Sequence, residues 1–129
     1  MLPKKIFTLK LGGYIFHETY RRHTGAFLLL FLTEGDNYGG KLLQKCEEEL
    51  PINPIDSAIL YRTLKKLEEE GAVESYLDIS NHDKPIRMYK ITTVGKRKLE
   101  DFQIDIEEKI KNLSFFLEKY KEWKAQNND

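Results

Sequence analysis

From Ala26 to Leu32 the chain is apolar at every position, the pattern of a helix buried on all sides, and Gly35-Asp36-Asn37 supplies its stop and a turn. Apolar residues then recur at helical spacing at Tyr38, Leu42, Leu43 and Cys46. This predicts a second helix, capped by Asp36 or Asn37 and ended by Pro51. A third helix starts either behind Asn53, with Pro54 in its first position, or at Asp56, the preferred cap. Its inward stripe is Ile59, Leu60, Thr63, Leu64 and Leu67, and Gly71 closes it in a left-handed conformation. Two extended segments follow, Ala72 to Ile79 and Ile86 to Ile91, joined by the polar loop Ser80-Asn81-His82-Asp83-Lys84-Pro85. Thr92 or Thr93 then caps a last helix that meets no Gly or Pro from Lys96 onward. Residues 1–20 read less clearly. Phe7, Leu9 and Leu11 alternate with polar positions before Gly12-Gly13, which fits a small hairpin or a helix interrupted by glycines.

In the last helix, Leu99, Phe102, Ile106, Ile110, Leu113, Phe116, Leu117, Tyr120 and Trp123 recur at three- or four-residue steps. From Thr93 to Lys124 such a helix would reach about 50 Å at 1.5 Å per residue, longer than a small domain is wide. Its far half therefore needs another partner. The simplest is the same helix of a second copy, because a two-fold axis lets one apolar stripe cover itself, so these residues are the expected dimer interface. Folding back on the hairpin or on residues 1–20, to give a monomer, is the alternative. Only Ala125 to Asp129 is expected to be disordered.

Composition narrows the function. The 129 residues carry 21 Lys plus Arg against 21 Asp plus Glu, so net charge alone does not point to nucleic acid. The distribution is uneven, however. Lys4, Lys5, Lys10, Arg21 and Arg22 form one basic cluster and Arg62, Lys65, Lys66, Lys84 and Arg87 another, while acids collect at Glu47 to Glu49, Glu68 to Glu70 and Glu100 to Glu108. The single cysteine, Cys46, excludes an internal disulfide framework and reads as a small buried hydrophobe in a reducing compartment. No signal sequence or membrane span is recognisable, so a cytoplasmic location is expected and the sequon at Asn112 is without consequence. His17, His23 and His82 lack neighbours at ligand spacing, and there is no phosphate loop, nucleophile elbow or paired carboxylate set in an apolar context. No metal, no cofactor and no catalysis are expected.

Three helices followed by a two-stranded hairpin, with the third helix short and basic on its outer face, is the order of a winged helix-turn-helix. The expected fold is mainly α with a small β-hairpin wing, residues 1–92 forming the DNA-binding domain with an N-terminal extension and 93–129 the dimerisation helix and a short tail. A helix fits the major groove of B-DNA while flanking Lys and Arg neutralise phosphates. Candidate contacts are Ser57, Ala58, Tyr61, Arg62, Lys65 and Lys66 on the third helix and Lys84 and Arg87 on the wing. Tyr38, at the start of the second helix, and Arg21 and Arg22, before the first, complete the set.

The stretches Tyr38-Gly39-Gly40-Lys41-Leu42-Leu43, Asp56 to Val73 and Arg87-Met88-Tyr89-Lys90-Ile91-Thr92-Thr93-Val94-Gly95-Lys96 resemble, in order and separation, the PadR family of transcriptional regulators over roughly residues 22–100. Gly40 and Lys41 stand where that family has an aromatic and an acidic residue, and Met88 replaces the first wing tyrosine. The resemblance implies that the third helix is the recognition helix, that Tyr61, Arg62 and Lys65 approach double-stranded DNA with Lys84 and Arg87 on the wing, and that the C-terminal helices dimerise. It also implies, for some members, a pocket for a flat aromatic effector between subunits, here at Phe102, Phe116, Tyr120 and Trp123; plain interface packing is the preferred reading. Tyr61 could instead be a core aromatic, and Lys65 and Lys66 could simply pair with Glu69 and Glu70. The expected function is a sequence-specific regulator, a repressor first. The alternative is a winged-helix module that binds protein rather than DNA, which the neutral net charge and Asp83 keep open.

Overall fold

The computed structural model describes residues 23–80 and 83–127. Its elements are α1 (Thr24–Leu32), β1 (Asn37–Tyr38), α2 (Gly39–Glu49), α3 (Ser57–Glu69), β2 (Val73–Asp78), β3 (Ile86–Ile91) and α4 (Thr93–Asn127). This is the expected winged helix-turn-helix with a long C-terminal helix.

The core lies where the apolar stripes predict it. Leu28, Leu29 and Leu32 of α1, Leu42 and Cys46 of α2, Leu60 and Leu64 of α3 and Val73 of β2 are all fully buried in one cluster. Ile55 joins them from the turn between α2 and α3, where Asn53 Oδ1 accepts the Ile55 amide at 2.9 Å. Asp56 is the cap of α3: its Oδ1 accepts the Ile59 amide at 2.8 Å, satisfying a donor that the first helical turn leaves open, a bond worth about 1 kcal/mol. Gly71, at φ +80°, reverses the chain after α3. Burial pushes the Cys46 thiol up to about 11, with Glu47 adding to the shift, so this residue serves as a small hydrophobe.

Three expectations need correction. The hairpin is part of a three-stranded sheet in the order β1-β3-β2, because Asn37 pairs with Tyr89 and Tyr38 with Met88. Tyr38 therefore precedes α2 in extended backbone, and neither Asp36 nor Asn37 caps that helix. Asp36 Oδ2 instead accepts the Tyr76 hydroxyl at 2.6 Å, and Asn37 Oδ1 accepts the Tyr38 amide at 3.1 Å. At the other end α4 continues through Asn127, whose Nδ2 donates to the Trp123 carbonyl at 2.7 Å, so most of the expected disordered tail is helix. The hairpin or broken helix expected over residues 1–20 lies outside the described residues.

The start of α4 is bound into the winged domain. Thr92 is its cap: the hydroxyl accepts the Gly95 amide at 3.1 Å and donates to the Gly71 carbonyl at 2.6 Å. Leu99 and Phe102, assigned from periodicity to a contact with a second copy, pack against this chain's own core. Ile106 lines a groove of about 180 Å³ with Phe27 and Leu30 of α1. From Ile110 to Asn127 every residue is exposed, Leu113, Phe116 and Trp123 by 63, 61 and 54%. Among the described residues no helix is long and apolar enough to cross a membrane.

Candidate nucleic-acid interface

α3 divides its residues by face. With Leu60, Thr63, Leu64 and Leu67 turned inward, Ser57, Ala58, Tyr61, Arg62 and Lys65 are left exposed on the opposite side. Arg62 and Lys65, three positions apart, share one surface, and among the described residues neither has an ion pair. Their positive charge is thus not consumed among the described residues. Lys66 is different. One further residue turns it about 100° around the helix from Lys65. There it approaches Glu70 at 3.8 Å, and Lys98 of α4 reaches the same carboxylate at 3.1 Å. The four-residue pairing weighed for the two lysines holds for Lys66 alone.

Tyr61 is an edge residue, 49% exposed, rather than a core aromatic. Its ring lies across the first residue of α2, where a Cβ on Gly39 would come within 2.4 to 2.6 Å of ring and hydroxyl atoms. Only glycine lets the tyrosine lie there, so Gly39 fixes the direction in which Tyr61 leaves α3. Gly39→Ala is expected to swing the ring outward, which an exposed side chain can do at small cost. Thermal stability should change by less than about 1 kcal/mol while DNA affinity falls about tenfold. Parallel melting and fluorescence-anisotropy titrations read the two effects, and a variant that binds like wild type would show that the Tyr61 position does not matter.

The wing stands beside this face. β2 and β3 pair from Val73 opposite Ile91 to Asp78 opposite Ile86, which puts Val73, Ser75 and Leu77 on one side of the sheet with Arg87, Tyr89 and Ile91. That side meets α3: Ser75 Oγ donates to Glu68 Oε2 at 2.7 Å and accepts from Arg87 Nη1 at 2.9 Å. Arg87 is thereby tethered toward α3 and not toward the wing tip. Tyr89 sits beneath. Burial raises its phenol above the usual value against the opposing effect of Arg87, with Glu68 and Tyr61 also nearby. Lys84, in the loop, is exposed.

Tyr38 is exposed at the start of α2, its ring against Gly40. Next to it, sequence reasoning missed one feature. α2 has no side-chain cap, and exposed Lys41 stands in its first turn. A lysine where the resembling family carries an acid was the available signal. Arg21 and Arg22 lie outside the described residues. So do His17 and His82, and among the described residues no three His, Cys, Asp or Glu are grouped to hold a metal ion.

On the far half of α4, Phe116 stacks on Tyr120 with centroids 6.2 Å apart and planes 10° from parallel, and Tyr120 leans on Trp123 at 5.8 Å. The stripe is thus a continuous aromatic ladder on the surface.

Among solved structures, the chain is similar to a transcriptional regulator from Clostridium thermocellum at 25% identity and TM-score 0.66, over 77% of this chain and 97% of that one. A PadR family transcription regulator from Clostridium difficile matches at 21% identity and TM-score 0.64, over 74% of this chain and 98% of that one. Bacillus subtilis PadR, solved in complex with operator DNA, is 28% identical with TM-score 0.59 over 64% of this chain and 48% of its own. The model of the transcriptional regulator PadR-like family matches residues 28–101, from the middle of α1 through the first turns of α4. With an exposed basic face on α3, a wing tethered beside it and the family pattern across more than half its length, the chain belongs to the PadR-like family of transcriptional regulators.

Proposed function

We propose that this protein is a homodimeric, sequence-specific regulator that binds double-stranded DNA and represses transcription. The observation that carries the reading is the outer face of α3, where Ser57, Ala58, Tyr61, Arg62 and Lys65 are exposed together and the two cations have no partner among the described residues. In this reading α3 enters the major groove, Arg62 and Lys65 reach base edges, and Tyr61 packs at the groove wall. Lys84 meets the backbone beyond the wing, Arg87 meets it between wing and helix, and Lys41 at the start of α2 meets a third phosphate. The operator complex of the Bacillus relative supports DNA as the partner. The far half of α4 pairs with its copy and sets two recognition helices on two half-sites. Phe116, Tyr120 and Trp123 pack between the copies, and a flat aromatic effector would enter there.

Selection from random DNA followed by titration at two salt concentrations tests the reading. Arg62→Ala is expected to cost about 1–3 kcal/mol on the selected site and to relax preference at one base pair, with Lys65→Ala behaving similarly. Lys84→Ala should weaken selected and random DNA alike and lower the salt slope by about one. Equal effects of all three on both DNAs would show that α3 reads no bases. Absence of salt-dependent binding would favour a protein partner.

A further inference from the structure

α4 leaves the winged domain at one place. Before it, Gly95, Leu99 and Phe102 are held against the domain; after Lys109 every described residue is exposed. At that exit His23, immediately before α1, reaches across 82 positions of sequence to place Nε2 3.0 Å from Asp105 Oδ2. The other carboxylate oxygen accepts from Lys109 Nζ at 3.0 Å. His23 adopts φ 51°, a left-handed conformation that Asn, Asp and His tolerate better than other side-chain-bearing residues, while its carbonyl still accepts the Phe27 amide at 3.2 Å. One residue therefore both starts α1 and ties it to α4. The side chains are 14 and 33% exposed, and the Phe102 ring shields the imidazole edge-on at 6.3 Å between centroids. Burial pushes the Asp105 carboxyl up, but its hydrogen bonds from His23 and Lys109 outweigh that and leave it below the usual carboxylate range.

We infer that the His23–Asp105 bond is a positioning device that sets the angle at which α4 leaves the winged domain, and so selects the spacing between the two half-sites that the dimer binds. The inference rests on the dimeric DNA-binding reading above. In a two-fold dimer the paired helices are the common frame, and each winged domain hangs from that frame at its exit. Apart from Lys98, which meets Glu70 at 3.1 Å two turns earlier in α4, the other contacts there, from Phe27, Leu30, Leu99, Phe102 and Ile106, are apolar and surround an open groove. Such contacts resist separation but give little direction, whereas a hydrogen bond between groups on two helices is directional. The C-terminal half of α3 lies against this exit, where Leu67 and Glu70 line a pocket with Phe102 and Lys98, so the N-terminal end of that helix, about 20 Å farther along its axis, moves by about 3.5 Å, one base-pair rise, for a rotation of about 10°. Small changes of angle therefore become whole base pairs of spacing.

The experiment uses the full chain and two copies of the half-site recovered by selection, set at the selected spacing and at one and two base pairs either side. His23→Asn keeps a residue suited to the left-handed backbone but is too short to reach Asp105; Asp105→Ala removes the acceptor; Asp105→Asn keeps an acceptor oxygen. Wild type is expected to prefer one spacing by about tenfold, and His23→Asn and Asp105→Ala to flatten that preference to within about threefold. Affinity for a single half-site and the dimer seen in sedimentation should stay unchanged, and Asp105→Asn should fall between. Retention of the wild-type spacing preference by both disrupting variants overturns the inference. So does a uniform loss at every spacing, which is the signature of general damage. A wild-type protein that selects no half-site, or is monomeric, fails at the functional reading itself and takes this inference with it.

Discussion

A variant in which Leu113 and Leu117 are both glutamate is expected to sediment as a monomer at micromolar concentration and to lose at least about 100-fold in affinity for a two-half-site operator. Both leucines are more than 60% exposed, and nothing else in the described chain covers them. Pairing two copies along α4 would bury four such side chains, each contributing about 1.5–3 kcal/mol at full burial. Losing even about 6 kcal/mol weakens association by more than 10⁴-fold, enough to carry a nanomolar dimer past the micromolar range. Neither residue belongs to the winged-domain core, so the thermal transition of that domain should survive, and single half-site binding with it. A dimer that persists in the variant would place the interface elsewhere. A wild-type monomer would leave the ladder of Phe116, Tyr120 and Trp123 to another partner.

What the sequence made legible was whatever depends on neighbours in the chain. α1, largely buried but exposed at Leu30, the inward stripe of α3, the Asp56 cap and the left-handed Gly71 are all local matters of period, side-chain reach or backbone freedom, and apart from Leu30 each stands where the pattern puts it. β1 was not legible because two residues of strand exist only through pairing with β3, about fifty positions later. The same pairing explains the wrong cap for α2. Asn37 has its backbone in the sheet, and the Asp36 carboxylate is held by Tyr76 from β2.

The candidate site divides in the same way. Arg62 and Lys65 follow from helical geometry alone. That Lys66 turns to Glu70, that Arg87 is tethered through Ser75 to Glu68, and that Leu99 and Phe102 serve their own core are tertiary facts, invisible to spacing. Periodicity names the apolar face of α4 but not what covers each part of it.

A large single-residue effect on folding is expected at Gly95, in the first turn of α4. A Cβ there would lie 2.3 Å from the Ala72 carbonyl oxygen and 2.7 Å from Ile91 Cγ1. Unlike the tyrosine that faces Gly39, this neighbour is backbone, and it is not free to swing away. The Ala72 carbonyl accepts the Thr92 amide at 3.1 Å, and the Ala72 amide is itself bound to the Leu67 carbonyl at 2.8 Å. Relief would therefore have to move α4 away from the end of α3, at the expense of the Thr92 bonds to Gly71 and Gly95. Alanine is the better helix former by about 1 kcal/mol, a gain that here opposes the clash. Overpacking against fixed backbone commonly costs about 1–3 kcal/mol or more, and the lost hydrogen bonds add to it, so Gly95→Ala is expected to be destabilising by about 2 kcal/mol net and Gly95→Val by more. In a domain of this size that lowers the melting temperature by on the order of 10 °C. The substitution also tests how the two halves of the molecule communicate, because the contact it breaks joins the end of α3 to the start of α4. Calorimetry on both variants reads the stability. Operator titration well below the new melting temperature should show weaker binding at every half-site spacing, the outcome for a displaced helix, in contrast to the spacing-selective change expected at His23. If Gly95→Ala melts at or above the wild-type temperature, the close approach of α4 to Ala72 does not constrain the fold.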